Sequence, residues 1–167
     1  DNTYNGSGDI FVAKFNSTGT VLLGSTYVGG SGEDGVNVFL SELTIGGLKH
    51  NYADDARSEV IVDANNNIYV TASTRSTDFP TVIPTQSALG GQQDAVVFEL
   101  NSNLSSLMWS TYLGGTLNDA GYVLAINKIN PSEIFVAGGT ESPTFPVTTG
   151  TLNPSYLGGT DGFLLKF

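Results

Sequence analysis

Ser25-Thr26-Tyr27-Val28-Gly29-Gly30 returns as Ser110-Thr111-Tyr112-Leu113-Gly114-Gly115, 85 positions later. A six-residue motif repeated with one conservative exchange marks an internal repeat, and the repeat governs how the flanking sequence is read. Upstream, the segment Gly8-Asp9-Ile10-Phe11-Val12 is echoed near Asp94-Ala95-Val96-Val97-Phe98 at the same shift. Downstream, Asn67-Ile68-Tyr69-Val70 matches Glu133-Ile134-Phe135-Val136, and Asp78-Phe79-Pro80 matches Thr144-Phe145-Pro146, both 66 positions apart. Gly90-Gly91 and Asp94 match Gly158-Gly159 and Asp161. The drop from 85 to about 66 places an insertion in the first copy. With Asp55-Ala56 aligned on Asp119-Ala120, 21 extra residues fall between Gly30 and Asp55.

Each copy reads as four strands. The first copy places them at Asp9 to Phe15, Val21 to Val28, Glu59 to Asp63 and Ile68 to Ser73. The second places them at Ala95 to Leu100, Leu107 to Leu113, Tyr122 to Asn127 and Glu133 to Ala137, and Gly162 to Phe167 repeats the first strand once more. Short apolar runs separated by turn residues read as strands; Ala64-Asn65-Asn66-Asn67 is such a turn. Only Val36 to Leu43 would fit one or two helical turns. The expected fold is all-β, with repeated four-stranded antiparallel sheets stacked as β-propeller-like blades: two blades plus one extra strand. Residues 1–93 form the first repeat, with the insertion at about 31–54, and residues 94–160 form the second. Residues 161–167 start a further repeat and would complete a neighbouring blade. Tyr27 with Tyr112, Tyr69 with Phe135, and Phe79 with Phe145 are expected at matched packing positions.

Composition narrows the function. Apolar residues make up 40 % of the 167, enough for a packed core, while only 13 % are charged. The net charge is −10, and the six basic residues (Lys14, Lys49, Arg57, Arg75, Lys128 and Lys166) are scattered. Nucleic-acid binding needs clustered Lys and Arg, so nucleic acid is not an expected partner. No apolar run reaches the length of a membrane-spanning helix. Cysteine is absent, which removes disulfide and thiol chemistry. The chain opens at Asp1 without Met or a signal peptide, as in a processed protein or a piece of a longer one.

Taken together, Ser110 to Gly115, Val60 to Asp63, Asn67 to Thr71, Asp78 to Thr81 and Gly90 to Val97 resemble the bacterial SBBP repeat, a β-propeller repeat. The resemblance covers almost the whole chain outside the insertion. It implies a large secreted or cell-surface bacterial protein with many such repeats, in a structural or binding role, with no shared catalytic site. The second copy departs from the pattern at Thr144, where the first has Asp78, and at Asn127-Lys128-Ile129-Asn130-Pro131, which replaces the shorter Asn-rich loop.

Candidate chemistry is sparse. Acidic residues beside Gly turns (Glu33, Asp34, Asp54, Asp55, Asp94, Asp119, Asp161) could supply oxygens to calcium, with Asp34, Asp55 and Asp119 the candidates, but none has EF-hand spacing. The competing and preferred reading is that these aspartates bond backbone N–H groups and fix the turns. His50 is the only imidazole. It lacks the partners of a triad or a zinc site, so no catalytic residue and no cofactor are expected. Glu33, Asp34 and Glu42 are an unconvincing glycosidase set. The insertion residues Glu33, Asp34, Glu42, His50 and Tyr52 are the candidates for binding a ligand, because insertions in repeat folds carry binding loops. Trp109, Tyr112, Tyr4, Tyr27 and Tyr156 are either a sugar-stacking platform or, preferably, packing residues. Asn5, Asn16 and Asn103 head N-glycosylation-type triplets.

Two blades are fewer than a closed propeller needs, so open flanks are expected. The first and last strands are versions of one element, which suggests head-to-tail addition of copies. Ile10, Val12, Phe15, Phe163, Leu165 and Phe167 are the candidate contact residues. The leading expectation is a non-catalytic extracellular structural protein that self-associates into a surface fibre or adhesin. The alternatives are a glycan- or protein-binding module and, remotely, a hydrolase.

Overall fold

The computed structural model describes residues 3–36 and 57–167. Among the described residues there are nine strands and no helix. They are β1 (Ile10–Phe15), β2 (Leu22–Val28), β3 (Glu59–Val62), β4 (Ile68–Thr74), β5 (Asp94–Leu100), β6 (Leu107–Leu113), β7 (Asp119–Ile126), β8 (Ile134–Thr140) and β9 (Asp161–Lys166). All nine fall where the repeat places them. β7 and β8 are longer than the apolar runs suggest, because Asp119 and Thr140 already pair as strand partners. The helical candidate lies outside the described residues apart from Val36, which is irregular.

The strands form three antiparallel sheets, ordered β1-β2, β3-β4-β5-β6 and β7-β8-β9. These sheets are offset from the sequence copies. The junction at 93/94 falls between β4 and β5, which pair over seven residues from Ile68↔Leu100 to Thr74↔Asp94. The four strands of the first copy are therefore divided between two sheets. A sequence period fixes the repeat length but not its phase, so four consecutive strands can be grouped in several ways. The β4–β5 pairing selects the grouping.

Alternation of side chains gives every strand two faces. On one face of the second sheet Val70, Ala72, Val96, Phe98 and Tyr112 pack with Ile10, Val12 and Val28 of the first sheet. On its other face Ala95, Val97 and Leu113 pack with Leu124, Ile134 and Val136 of the third. The second sheet is thus covered on both sides, and the burial of β5 reflects this, with Ala95, Val96, Val97 and Phe98 all fully buried. The second and third sheets approach closely at Gly121, where a Cβ would collide with the Thr71 hydroxyl and stand 3.4 Å from the Ala95 methyl.

The insertion falls in the sequence at the counterpart of a β-bulge. In β7 the register shifts between Gly121 and Val123. In the first copy the Gly35 N–H donates to Ser73 O at 2.7 Å, and pairing with β4 resumes at Glu59↔Thr71. The extra residues thus enter the sequence between Gly35 and Glu59, at the counterpart of that bulge, a point where one strand already carries unpaired residues. The sequence alignment put the start of the insertion earlier, at about 31. In the structure Glu33 and Asp34 belong to the repeat itself: Gly8 bridges Glu33 as Gln93 bridges Asn118, and Asp34 bridges Thr74 as Asp119 pairs with Thr140. The counterpart of Asp119 is therefore Asp34 rather than Asp55.

Candidate functional site

The acidic residues beside the Gly turns are built into strand entry. At five aspartates one carboxylate oxygen accepts the backbone N–H four residues upstream. The pairs are Asp34 with Gly30 (2.8 Å) and Asp119 with Gly115 (2.7 Å), and Asp9 with Asn5 (2.8 Å), Asp94 with Gly90 (2.8 Å) and Asp161 with Leu157 (2.6 Å). The bond turns the Gly-rich loop back on the first residue of the strand. Around Asp34 and Asp119 the network is duplicated in detail. The Ser76 hydroxyl donates to Asp34 Oδ2 at 2.7 Å and accepts the Gly32 N–H at 2.9 Å. The Ser142 hydroxyl likewise donates to Asp119 Oδ2 at 2.7 Å and accepts the Leu117 N–H at 2.9 Å. Thr74 also donates to Asp34 Oδ1.

The exchange of Asp78 for Thr144 leaves this arrangement intact. Asp78 Oδ1 accepts the Ser31 N–H at 2.8 Å, and Thr144 Oγ1 accepts the Thr116 N–H at 3.0 Å. Two Ser31 donors hold the Asp78 carboxyl below its usual range. Burial does the opposite to Asp94 and Asp119, raising both. For Asp94 the value is pushed up to about 6, with the Asp119 charge as a smaller cause. The two carboxylates meet at Gly114, where a Cβ would lie 2.5 Å from Asp94 Oδ1 and 2.8 Å from Asp119 Oδ2. Only glycine leaves room there.

The bonded oxygens face N–H and O–H donors, which is the chemistry of a structural latch, while Asp9 Oδ1 and Asp119 Oδ1 are buried without a hydrogen-bond partner. Among the described residues no three His, Cys, Asp or Glu side chains come together in a metal-holding group. Of the calcium candidates, Asp34 and Asp119 are the buried latches, and Asp55 lies outside the described residues. Of the binding candidates, Glu33 and Asp34 stand at strand entry, while Glu42, His50 and Tyr52 lie outside the described residues, as does Asp54. The aromatic candidates are dispersed. Tyr112 is buried, Trp109 packs edge-on against Phe167 at 5.1 Å, Tyr156 bonds the nearby Gly159 carbonyl, and only Tyr4 and Tyr27 form an exposed pair, 6.4 Å apart.

Two large surfaces remain, and sequence reasoning looked for them on the wrong side of the strands. Ile10 and Val12 point into the core against the second sheet, and Phe163, Leu165 and Phe167 also pack inward. Of the six expected contact residues only Phe15 is exposed. The outward face of the first sheet carries Phe11 opposite Tyr27, which are 72 % and 39 % exposed. Their counterparts 85 positions on are Val96 and Tyr112, opposite one another in the second sheet and 0 % and 1 % exposed, because that sheet has a neighbour there. At the other end, the outward face of the third sheet carries Val123, Phe135, Ala137 and Leu164, with Leu164 74 % exposed. The two end faces are thus the two kinds of face that meet inside the molecule. The signal that could have located them is period-two alternation, since Phe11 is out of step with Ile10 and Val12.

A groove of about 560 Å³ lies beside the β2 end of the first sheet, lined by Asn5, Tyr27, Ser31, Asp78, Leu104 and Leu107 among others. No protein-family model matches the chain, and no curated protein does.

Proposed function

We propose that this chain is a non-catalytic structural module of propeller-like blades, of the SBBP type, which adds head to tail to copies of itself in an extracellular surface fibre or adhesin. The single observation that carries this reading is the exposure of Phe11 and Tyr27 at positions that the next sheet buries as Val96 and Tyr112. A face of this type is covered wherever a sheet precedes it. The outward face of the third sheet is of the complementary type, so the third sheet of one copy fits the first sheet of another. A contact between two different faces repeats in one direction and yields a ring or a filament.

The magnitude is modest. Burying what is still exposed of Phe11, Phe15, Tyr27 and Leu164 contributes about 5 kcal/mol in all, at about 2 kcal/mol for a fully exposed side chain. Association itself costs about 4–15 kcal/mol. Weak, concentration-dependent assembly follows, reinforced where many copies are held at one surface. Sedimentation from micromolar to millimolar concentration tests it. The expected result is a graded rise in mass, abolished by Phe11→Lys or by Leu164→Lys. Mixing the two variants should restore dimers and nothing larger, because each supplies one intact face. A monomer at every concentration, or self-dimers of either variant, refutes the reading.

The groove beside Tyr27 favours one second reading, glycan binding, with the Tyr4–Tyr27 pair for stacking and Asn5, Ser31 and Asp78 for hydrogen bonds. Titration with a panel of oligosaccharides tests it: Tyr27→Ala should remove any saturable signal.

A further inference from the structure

The hairpin tips that join β1 to β2 and β5 to β6 are built alike. Asn16 Oδ1 accepts the Thr20 and Val21 N–H groups at 2.8 and 3.1 Å. Asn101 Oδ1 accepts the Ser105 and Ser106 N–H groups at 2.9 and 3.2 Å. The amide nitrogens match as well. Asn16 Nδ2 donates to Thr20 Oγ1 at 3.1 Å, and Asn101 Nδ2 donates to Ser105 Oγ at 3.0 Å. Each turn is closed by the Asn that follows the strand.

Inside the turn the copies differ. Thr18 and Asn103 stand at the same place, 85 positions apart. Thr18 Oγ1 lies 2.8 Å from Thr20 Oγ1, and Asn103 Oδ1 accepts the Ser105 hydroxyl at 2.7 Å. One oxygen at this position therefore completes the turn. The Asn103 Nδ2 is surplus to it: it makes no hydrogen bond among the described residues, and Asn103 is exposed. The next residue, Leu104, is buried in the core between the first and second sheets and anchors the tip.

Asn103-Leu104-Ser105 is one of three triplets of the N-glycosylation type, and the structure separates them. Asn16 is engaged through both side-chain atoms in closing its turn. Asn5-Gly6-Ser7 is laid against the loop at 30–32: the Ser7 N–H donates to Gly32 O at 3.1 Å, and a Cβ on Gly6 would collide with the Gly30 and Gly32 carbonyl oxygens. At Asn103 the hydroxyl of the third residue is already aimed at the amide. Ser105 Oγ accepts from Asn101 Nδ2, which leaves its own proton for Asn103 Oδ1, and the Ser105 N–H reaches the same oxygen at 3.4 Å. Donors on the amide oxygen favour the form in which the nitrogen has given up a proton.

We propose that Asn103 is an acceptor for an N-linked glycan, taken from an oligosaccharide carried on a polyprenyl diphosphate. The bond from Nδ2 to the sugar C1 forms as the bond from C1 to the diphosphate oxygen breaks. One Nδ2 proton passes to a base of the transferase, and the polyprenyl diphosphate leaves. This goes beyond the assembly reading and does not depend on it. Asn103 lies at a strand end of the second sheet, on neither of the outward faces that carry Phe11 and Leu164, so a bulky glycan there leaves both faces clear.

The test incubates the folded chain with a single-subunit oligosaccharyltransferase and a polyprenyl-diphosphate-linked oligosaccharide, and reads the intact mass and the modified peptide by mass spectrometry. The expected result is one glycan per chain, on Asn103. Asn16→Gln should leave the transfer rate unchanged. Ser105→Ala should lower it at least about 10-fold, through loss of the hydrogen bond to the reacting amide, and Ser105→Thr, which keeps the hydroxyl, should restore it. Circular dichroism of each variant confirms the fold. A folded chain that gains no glycan overturns the proposal. So does transfer to Asn5 or Asn16 at the rate of Asn103, or an undiminished rate in Ser105→Ala.

Discussion

Tyr112→Phe removes one oxygen and isolates what that oxygen does. The hydroxyl sits between two buried backbone groups, donating to Ser76 O and accepting from the Phe79 N–H. Losing two hydrogen bonds costs about 2 kcal/mol if both backbone groups find other partners, and about 4 kcal/mol if they stay buried and unpaired. The third sheet shows the relaxed alternative, a direct bond from the Phe145 N–H to Ser142 O. If the first copy collapses in the same way the loss stays near the lower figure. Guanidinium chloride unfolding measures it. With a denaturant slope of about 4 kcal/mol/M, the midpoint should fall by about 0.5–1 M at unchanged slope. The control is Tyr27→Phe, whose ring is part-exposed on the outward face and which should shift stability by less than about 0.5 kcal/mol. An unchanged midpoint for Tyr112→Phe, or an equal loss for Tyr27→Phe, would mean that the hydroxyl does not hold β6 in place.

Gly121→Ala should destabilise by at least about 2 kcal/mol in the same assay, because the new methyl overlaps the Thr71 hydroxyl at a close approach of two sheets; a neutral result would mean the sheets can separate freely. Ile83 holds φ 48° while 81 % exposed, so Ile83→Gly should raise the unfolding midpoint by about 1 kcal/mol equivalent through relieved backbone strain, with no packing lost. Asp94 titrates at about 6 in the folded chain and at about 4 when unfolded, so the folded state binds the proton first. Its contribution therefore favours folding at pH 4 and is lost as the pH rises through 6, by about 3 kcal/mol. Urea unfolding from pH 4 to 7 should show this slope in the parent chain and a shallower one in Asp94→Asn, where the raised Asp119 remains; identical slopes would refute it.

The strands were legible because short apolar runs between Gly, Asn and Pro turns leave few other conformations, and because each run occurs twice. The aspartate latches were half legible. The preference for turn-fixing over cation binding follows from Asp chemistry beside Gly, and the structure supplies the N–H and O–H donors at Asp34 and Asp119. Ser76 and Ser142 were overlooked because they lie more than twenty residues from the carboxylates they serve. The insertion start was misplaced because Asp34 and Asp55 compete for one partner in alignment, and only the Asp34–Thr74 and Gly35–Ser73 contacts decide between them.

By itself the amino-acid sequence determined the class of structure, the repeat length and the position of every described strand, since these depend on local turn chemistry and on similarity between segments of one chain. It could not determine which four strands share a sheet, or which face of β1 is covered. Pairing between β4 and β5, and the presence, among the described residues, of a neighbour on one side only of the first and third sheets, are contacts between distant segments. That is why Tyr27 and Tyr112, nearly identical in local sequence, end with one ring part-exposed and the other in the core.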